Sequence, residues 1–161
     1  MKNVLIVYGS EYGASENLAY DIKQLLKNKQ YSVTLVDEAD SDTVGKLIHA
    51  DALLIVTATT GLGDLPENIL PFFVHLKDTF PNLESLLYGV IALGDRSYGD
   101  TFCQAGRMFD DLLEELRAER IMPLLKIDAM ETNDPFCATE SWIEQWCINI
   151  LDTNNKNNTL I

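Results

Sequence analysis

The 161-residue chain has few basic residues, few cysteines and no long hydrophobic segment. Its 12 lysines and arginines stand against 25 aspartates and glutamates, which gives a formal net charge of -13. So little positive charge disfavours binding to nucleic acid or to an anionic membrane surface and favours basic protein partners, although solubility alone also explains an acidic surface. No apolar run approaches the length of about 20 residues that a membrane-spanning helix needs.

The three cysteines, Cys103, Cys137 and Cys147, do not form a Cys-x-x-Cys pair. Such an odd and scattered set is typical neither of a disulfide framework nor of a zinc site, so we expect buried, reduced thiols and no metal. Residues 1–4 lack the charged, apolar and small-residue sections of a signal peptide. We therefore expect a soluble, cytoplasmic and monomeric protein.

Short apolar runs alternate with amphipathic helical patterns along the chain. Three nearly continuous apolar runs, 4–8, 52–56 and 88–93, are typical of central parallel strands that are covered on both faces. The alternating segment 31–35 and the proline-interrupted segment 122–127 predict two edge strands. The sequence therefore predicts five strands in one sheet.

Four helical stripes separate or follow these strands. They cover residues 18–26, 69–76, 102–116 and 142–150. Asp64, Pro66 and Glu67 predict the start of the second stripe's helix. The alternation predicts an α/β, doubly wound, five-stranded parallel sheet of order 2-1-3-4-5 with helices on both faces. We assign residues 1–152 to this single domain and residues 153–161 to a frayed tail.

A sheet of this order binds ligands beyond the C-terminal ends of its strands, near the switch between the first and third strands. Loops 9–15, 57–68 and 94–103 leave the first, third and fourth strands there. Loop 9–15 contains glycines and serines at a helix start but no lysine or arginine. It lacks both the Gly-Lys-Ser/Thr ending of a nucleoside triphosphate loop and the Gly-x-Gly-x-x-Gly of a dinucleotide loop. The loop therefore predicts a cradle of amides for one terminal phosphate.

The other two loops predict a site for a flat ring. Loop 57–68 has two glycines and few large side chains, so its backbone can approach a planar ligand edge-on. Loop 94–103 carries Tyr98 in a polar setting, where a stacked ring explains an aromatic residue better than folding stability does. A phosphate cradle, a backbone slot and an aromatic side chain together indicate a phosphorylated heteroaromatic ligand, and flavin mononucleotide (FMN) fits all three.

These motifs resemble those of the flavodoxin family over nearly the whole chain. Ser10–Ser15 matches the family's phosphate loop, with Tyr12 where threonine is usual. Thr57–Asn68 is similar to the loop along the inner flavin face in short-chain, MioC-like flavodoxins and in diflavin reductases. Leu93–Tyr98, followed by Phe102–Gly106, is similar to the outer-face loop and next helix of the flavodoxin domain of sulfite reductase flavoprotein.

The resemblance implies an FMN-binding carrier of single electrons rather than an enzyme, without catalytic or metal-binding residues. Thr60 stands where many relatives place an aromatic residue. After a local peptide flip, the Gly61 carbonyl is expected to accept a hydrogen bond from the protonated N5 of the one-electron-reduced flavin. The implied cofactor-binding residues are Ser10, Glu11, Tyr12, Gly13, Ala14, Ser15, Ala58, Thr59, Thr60, Gly61, Leu93, Gly94, Asp95, Ser97, Tyr98, Thr101, Phe102, Cys103 and Asp128.

By the same resemblance, the electron donor is a flavodoxin- or ferredoxin-type reductase and the acceptor is a biosynthetic redox enzyme. Both are expected to dock at an acidic rim around the flavin. The carboxylates expected on this rim are Glu11, Asp64, Glu67, Asp95 and Asp100.

Two alternatives stay open from the sequence. An FMN-dependent quinone or azo-type reductase would take two electrons from a nicotinamide, and a flavin-free docking module would keep only the fold. A receiver domain shares the topology but needs an acidic pair after the first strand and a phosphoacceptor aspartate after the third. This chain has Gly9, Ser10 and Thr57 at those places.

Overall fold

The computed structural model describes residues 1–159, and within them it contains six strand segments and five α-helices. The strands are β1 (Asn3–Gly9), β2 (Ser32–Val36), β3 (Ala52–Ala58), β4 (Leu87–Gly94), β5 (Glu119–Arg120) and β6 (Leu125–Asp128). The helices are α1 (Ala14–Asn28), α2 (Ser41–Lys46), α3 (Leu70–Thr79), α4 (Gln104–Glu115) and α5 (Pro135–Thr159). Short 3-10 segments cover Leu47–His49 and Arg96–Thr101. None of the helices in this part of the chain has both the length and the apolar character needed to cross a bilayer.

All strand pairs are parallel, and the order β2-β1-β3-β4 is completed by β5 and β6, which both pair with β4. This arrangement confirms the predicted order 2-1-3-4-5. In the register of the sheet, Gly9 lies opposite Thr57, and Gly94 lies opposite Asp128. The strands β1, β3, β4 and β6 therefore end at the same edge, and the loops that follow them are neighbours.

The fifth position of the sheet is divided, where the sequence predicted one strand over 122–127. Pro123 lies between β5 and β6 and has no N–H to donate to a neighbouring strand. Side chains of α5 bond the carbonyl groups of this gap instead: Trp142 Nε1 donates to the Pro123 oxygen at 2.9 Å, and Asn149 Nδ2 donates to the Ile121 oxygen at 2.6 Å. The last helix thus holds the sheet edge that the proline interrupts.

Hydrophobic residues on the two faces of the sheet form two separate clusters. Leu5 and Val7 belong to the cluster that α3 and α4 cover. Val4 and Ile6 point the other way, into the cluster that α1 and α5 cover. This alternation along β1 confirms the prediction of helices on both faces, since successive side chains of a strand point to opposite sides.

Two helix ends differ from the sequence prediction. The predicted start of α3 near Asp64 was wrong, because the main chain of Asp64 pairs with that of Thr60 and the helix begins only at Leu70. The frayed tail expected from residue 153 is helical as far as Thr159, as a continuation of α5. Residues 160 and 161 of that expected tail lie outside the described residues.

The three cysteines are free thiols in two different environments. Cys103 and Cys147 are buried, as predicted, but Cys137 is exposed and the prediction was wrong there. Burial raises the pKa of the Cys103 thiol to about 11, and it also raises the pKa of Cys147. Both buried cysteines should therefore react slowly with alkylating reagents, because the reagent cannot reach the sulfur and because the thiol stays protonated, whereas the thiolate is the nucleophile.

We therefore expect iodoacetamide to label only Cys137 in the native protein at about pH 8, and all three cysteines after denaturation. Peptide mass spectrometry of the two samples measures the labelling at each site. Native-state labelling of Cys103 as fast as that of Cys137 would contradict the burial and the raised pKa of this thiol.

Candidate functional site

A cleft of about 480 Å³ opens beyond the C-terminal ends of β1, β3 and β4. This is the switch point of the sheet, where the chain leaves β1 and β3 in opposite directions. The structure brings most of the predicted site residues together in its walls. Those that line it are Ser10, Glu11, Tyr12, Ala14, Ala58, Thr59, Thr60, Gly61, Leu93, Gly94, Asp95, Tyr98, Thr101, Phe102 and Cys103.

The loop between β1 and α1 offers hydrogen-bond donors that the protein does not use. Gly13 takes a left-handed conformation, with φ 95°, and its amide donates to Ser10 Oγ at 2.9 Å. Ser15 is fully buried, and its hydroxyl has no partner among the described residues. In this loop and the first turn of α1, the backbone amides for which residues 1–159 provide no acceptor are those of Glu11, Tyr12, Ala14, Ser15 and Glu16. Free amides at the N-terminus of a helix form an anion site.

Asn68 holds this loop in place, and the sequence analysis did not single it out. Its Oδ1 accepts from the Ser10 amide at 2.9 Å. Its Nδ2 donates to the carbonyl oxygen of Tyr8 at 3.0 Å and to that of Asp37 at 2.9 Å. One side chain thus ties together the end of β1, the residue after β2 and the turn before α3. No local pattern reveals such a role, because all three partners are distant in sequence.

A tight turn from Thr60 to Asp64 forms part of the second wall of the cleft. The Thr60 amide donates to the Asp64 oxygen at 2.9 Å, and the Asp64 amide donates back at 2.8 Å. Gly61 and Gly63 have φ values of 48° and 100°, which other residues adopt only with strain. A Cβ atom on Gly63 would also lie 2.9 Å from Cδ of Gln104, so α4 packs directly against this turn.

The side chains of the second wall are all small. The cleft is lined here by Ala58, Thr59, Thr60 and Gly61, without an aromatic ring. Thr59 also has a structural task, because its Oγ1 accepts from the Ala105 amide at 3.0 Å and so caps the start of α4. A flat ligand on this side therefore meets mainly backbone and methyl groups.

The third wall carries the aromatic side chains. Tyr98 lies on the 3-10 segment after β4 and is 66% exposed, beside the partly buried Phe102. Ser97 does not line the cleft; its hydroxyl and its amide donate to Asp95 Oδ1 at 2.6 and 2.8 Å. These hydrogen bonds, the hydroxyl's first, lower the pKa of Asp95. The turn is thus organised around a charged carboxylate.

Asp128 lies behind the cleft rather than in its lining. It is 4% exposed, and its Oδ1 accepts from the amides of Arg96 at 3.1 Å and Met130 at 2.9 Å. Gly13, Ser15 and Ser97 do not line the cleft either. The lining residues that the sequence analysis missed are Ile127, Ala129, Thr132 and Pro135. Ile127 lies in β6 and the other three follow it, so the C-terminal end of this strand could have identified them.

Carboxylates surround the mouth of the cleft. Glu11 and Asp95 line the cleft itself, and Glu67 lines an adjoining polar groove of about 650 Å³ together with Glu11, Glu38 and Asp40. Asp64 and Asp100 are exposed but line neither. Within the described residues no group of three histidine, cysteine, aspartate or glutamate side chains is placed to hold a metal ion.

Comparison with known proteins places this geometry in one family. The family model described as Flavodoxin matches residues 6–142. The chain is 40% identical to flavodoxin YqcA of Escherichia coli over 147 residues, which are 91% of this chain and 97% of that protein. It is 34% identical over 143 residues to the MioC homologue of Pasteurella multocida, covering 89% of this chain and 95% of the relative.

A solved structure agrees with the sequence relatives. A cysteine-to-serine mutant of a flavodoxin from Pseudomonas aeruginosa superimposes with a TM-score of 0.85 at 36% identity, covering 92% of this chain and 98% of that chain. These matches confirm the resemblance that the three loops suggested. The chain belongs to the flavodoxin family, whose members are electron carriers rather than enzymes and bind FMN.

Proposed function

We propose that this protein holds FMN in the cleft and passes single electrons from a flavodoxin- or ferredoxin-type reductase to a biosynthetic redox enzyme in the cytoplasm. The observation that carries the proposal is the set of unused donors at the start of α1, above all the buried hydroxyl of Ser15. Glu11, Tyr12 and Ala14, which belong to this set, line one end of a cleft whose other walls suit a flat ring.

The phosphate end of the cleft fits a dianion without any basic side chain. A buried hydroxyl without a partner costs about 1–3 kcal/mol, and a phosphate oxygen supplies the acceptor that Ser15 lacks. The free amides of residues 11, 12, 14, 15 and 16 add further donors, and the dipole of α1 adds partial positive charge at the same place. Asn68 keeps the loop in the shape that presents these groups.

The ring end of the cleft fits an isoalloxazine. Tyr98 and Phe102 offer aromatic surface on one side, and residues 58–61 offer backbone and small side chains on the other. Stacking on an aromatic side chain contributes about 0.5–1.5 kcal/mol beyond the burial of area. The bound flavin supplies the redox chemistry, so the task of these residues is to bind it, orient it and keep water from its faces.

The surface around the cleft fits a basic partner. Glu11, Glu67 and Asp95 contribute negative charge near the site of electron transfer, on a chain of net charge -13. Charge of one sign around a site speeds the encounter with a partner of opposite charge. A reductase that docks here should therefore present lysines and arginines around its own redox centre.

Replacement of Ser15 by alanine tests the phosphate end. We expect Ser15→Ala to weaken FMN binding about tenfold or more, because a hydrogen bond to a charged group contributes about 1.5–3 kcal/mol. The same change should leave the apo-protein as stable or up to about 1 kcal/mol more stable, since the hydroxyl has no partner in the chain. Fluorimetric FMN titration and urea unfolding of the apo-protein measure the two effects.

Ser141→Ala is the matched control, because Ser141 is an exposed serine of α5. It should leave FMN affinity unchanged. Equal FMN affinity in Ser15→Ala and the unaltered protein would remove Ser15 from the proposed phosphate site.

The acidic rim is tested by the dependence of electron transfer on salt. FMN-loaded protein is mixed in a stopped-flow apparatus with NADPH and a bacterial flavodoxin reductase, and reduction of the flavin is followed by absorbance. We expect the second-order rate to fall steeply between low and physiological ionic strength, because screening shortens the reach of the rim charges. Glu11→Gln and Glu67→Gln should lower the rate at low salt and flatten the dependence.

Glu144→Gln removes the same charge from the exposed surface of α5 and should have a much smaller effect. If Glu144→Gln and Glu67→Gln change the rate equally, docking at the rim is not supported. Protein mixed with NADPH alone should stay oxidised, and rapid bleaching without the reductase would favour the alternative of an FMN-dependent reductase.

A further inference from the structure

The turn that carries Tyr98 has little support from the sheet. It leaves β4 at Gly94 and runs through a 3-10 segment, Arg96–Thr101, in which no residue is buried. Gly99 interrupts this segment with φ 64° and ψ -123°. The position of the tyrosine ring therefore depends on a few specific contacts at the two ends of the turn.

One of these contacts is a buried charge. Among the described residues, Asp128 is the only charged side chain in the buried class. A carboxylate is costly to bury unless hydrogen bonds and an opposite charge compensate it. Its Oδ1 accepts hydrogen bonds from two backbone amides, and its Oδ2, which accepts no hydrogen bond from the described residues, forms an ion pair with Nε of Arg96 at 3.3 Å.

The two amides belong to two different turns at the mouth of the cleft. Arg96 opens the turn that carries Tyr98, and Met130 lies in the turn after β6, whose Ala129 and Thr132 line the cleft. One carboxylate oxygen thus fixes the distance between these two walls.

The side chain of Arg96 strengthens the same connection. Its NH1 lies 3.3 Å from Oε1 of Glu131, and its guanidinium carbon lies 5.8 Å from the centre of the Phe102 ring. The guanidinium therefore joins the turn after β6 to the aromatic wall. At the far end of the Tyr98 turn, Arg107 NH2 donates to the Asp100 oxygen at 2.8 Å.

We propose that Asp128 is a positioning residue for the flavin: with Arg96 it clamps the Tyr98 turn to the turn after β6, so that the tyrosine ring is held in place before the cofactor binds. This inference rests on the proposed function, because it assigns the purpose of the clamp to the stacking of the flavin. Asp128 itself does not contact the cofactor. It acts through Tyr98, and removal of the tyrosine should remove its effect.

A double-mutant cycle tests this coupling. Asp128→Ala should weaken FMN binding about three- to tenfold, which corresponds to the loss of one stacking contact. It should also raise the fluorescence of the bound flavin, because a stacked tyrosine quenches it. In a Tyr98→Ala background, Asp128→Ala should change both quantities by less than about twofold.

Conservative variants keep the proposal testable if Asp128→Ala does not fold. Asp128→Asn retains an oxygen that can accept the two amides but loses the charge, so it should restore most of the FMN affinity and fluorescence quenching. Arg96→Met keeps the amide but removes the guanidinium that joins the two turns, so it should weaken FMN binding in the same direction as Asp128→Ala, by about two- to threefold. Asp134→Ala is the control, because the Asp134 side chain accepts only from the Cys137 amide at the start of α5.

Hydrogen exchange of the apo-protein tests the clamp without any flavin. Asp128→Ala, or Arg96→Met if the alanine variant is unfolded, should speed exchange in peptides that cover 95–98 and 128–132, and should leave β1 and β3 unchanged. Asp134→Ala should not affect 95–98. Unchanged exchange in the Tyr98 turn would overturn the clamp, whether or not FMN binds.

These experiments distinguish failure of the proposed function from failure of the clamp. If the unaltered protein bound no FMN, the exchange experiment would still show whether the clamp exists. If FMN binds and Asp128→Ala weakens it equally with and without Tyr98, Asp128 does not act through the tyrosine and the proposal is wrong.

Discussion

At the start of α1, several backbone amides and the Ser15 hydroxyl have no hydrogen-bond acceptor among the described residues. A protein normally pairs its buried polar groups, and a buried hydroxyl such as that of Ser15 is destabilising when it stays unpaired. The rest of the site depends on these unpaired donors. The loop from β1 keeps its shape because Asn68 bonds the Ser10 amide and the ends of two neighbouring strands. A ligand with a terminal phosphate satisfies donors that folding alone leaves open.

The walls of the cleft differ in chemistry because each is formed by the loop after a different strand. The wall after β3 is a turn whose two glycines have positive φ and which packs on α4, so it offers backbone and small groups. The wall after β4 offers Tyr98 and Phe102. Glu11 and Asp95 line the cleft, and in the proposed function their negative charge makes an additional electron on the flavin less stable and easier to give away. The same charges favour approach by a basic partner.

Much of the fold could be predicted from the sequence, because runs 4–8, 52–56 and 88–93 have a simple physical meaning. A nearly continuous apolar strand is stable only when both faces of the sheet are covered, and this predicts a parallel sheet between two layers of helices. The divided edge strand could not be predicted, since it depends on Trp142 and Asn149 bonding carbonyl groups far away in sequence. The start of α3 was missed for a local reason, because the main chain of Asp64 pairs with that of Thr60 in a turn and does not begin the helix. The sequence predicted the three loops that line the cleft, whereas the hydrogen bonds of Asn68 and Asp128 appear only when distant strand ends meet.

The central claim is that main-chain amides and Ser15 at the start of α1 bind a phosphate. Calorimetric titration of the apo-protein with FMN and with riboflavin, which differ only in the phosphate, tests it most directly. Several hydrogen bonds to a charged group predict that FMN binds at least about a hundredfold more tightly than riboflavin. Equal affinities for the two flavins would contradict the claim.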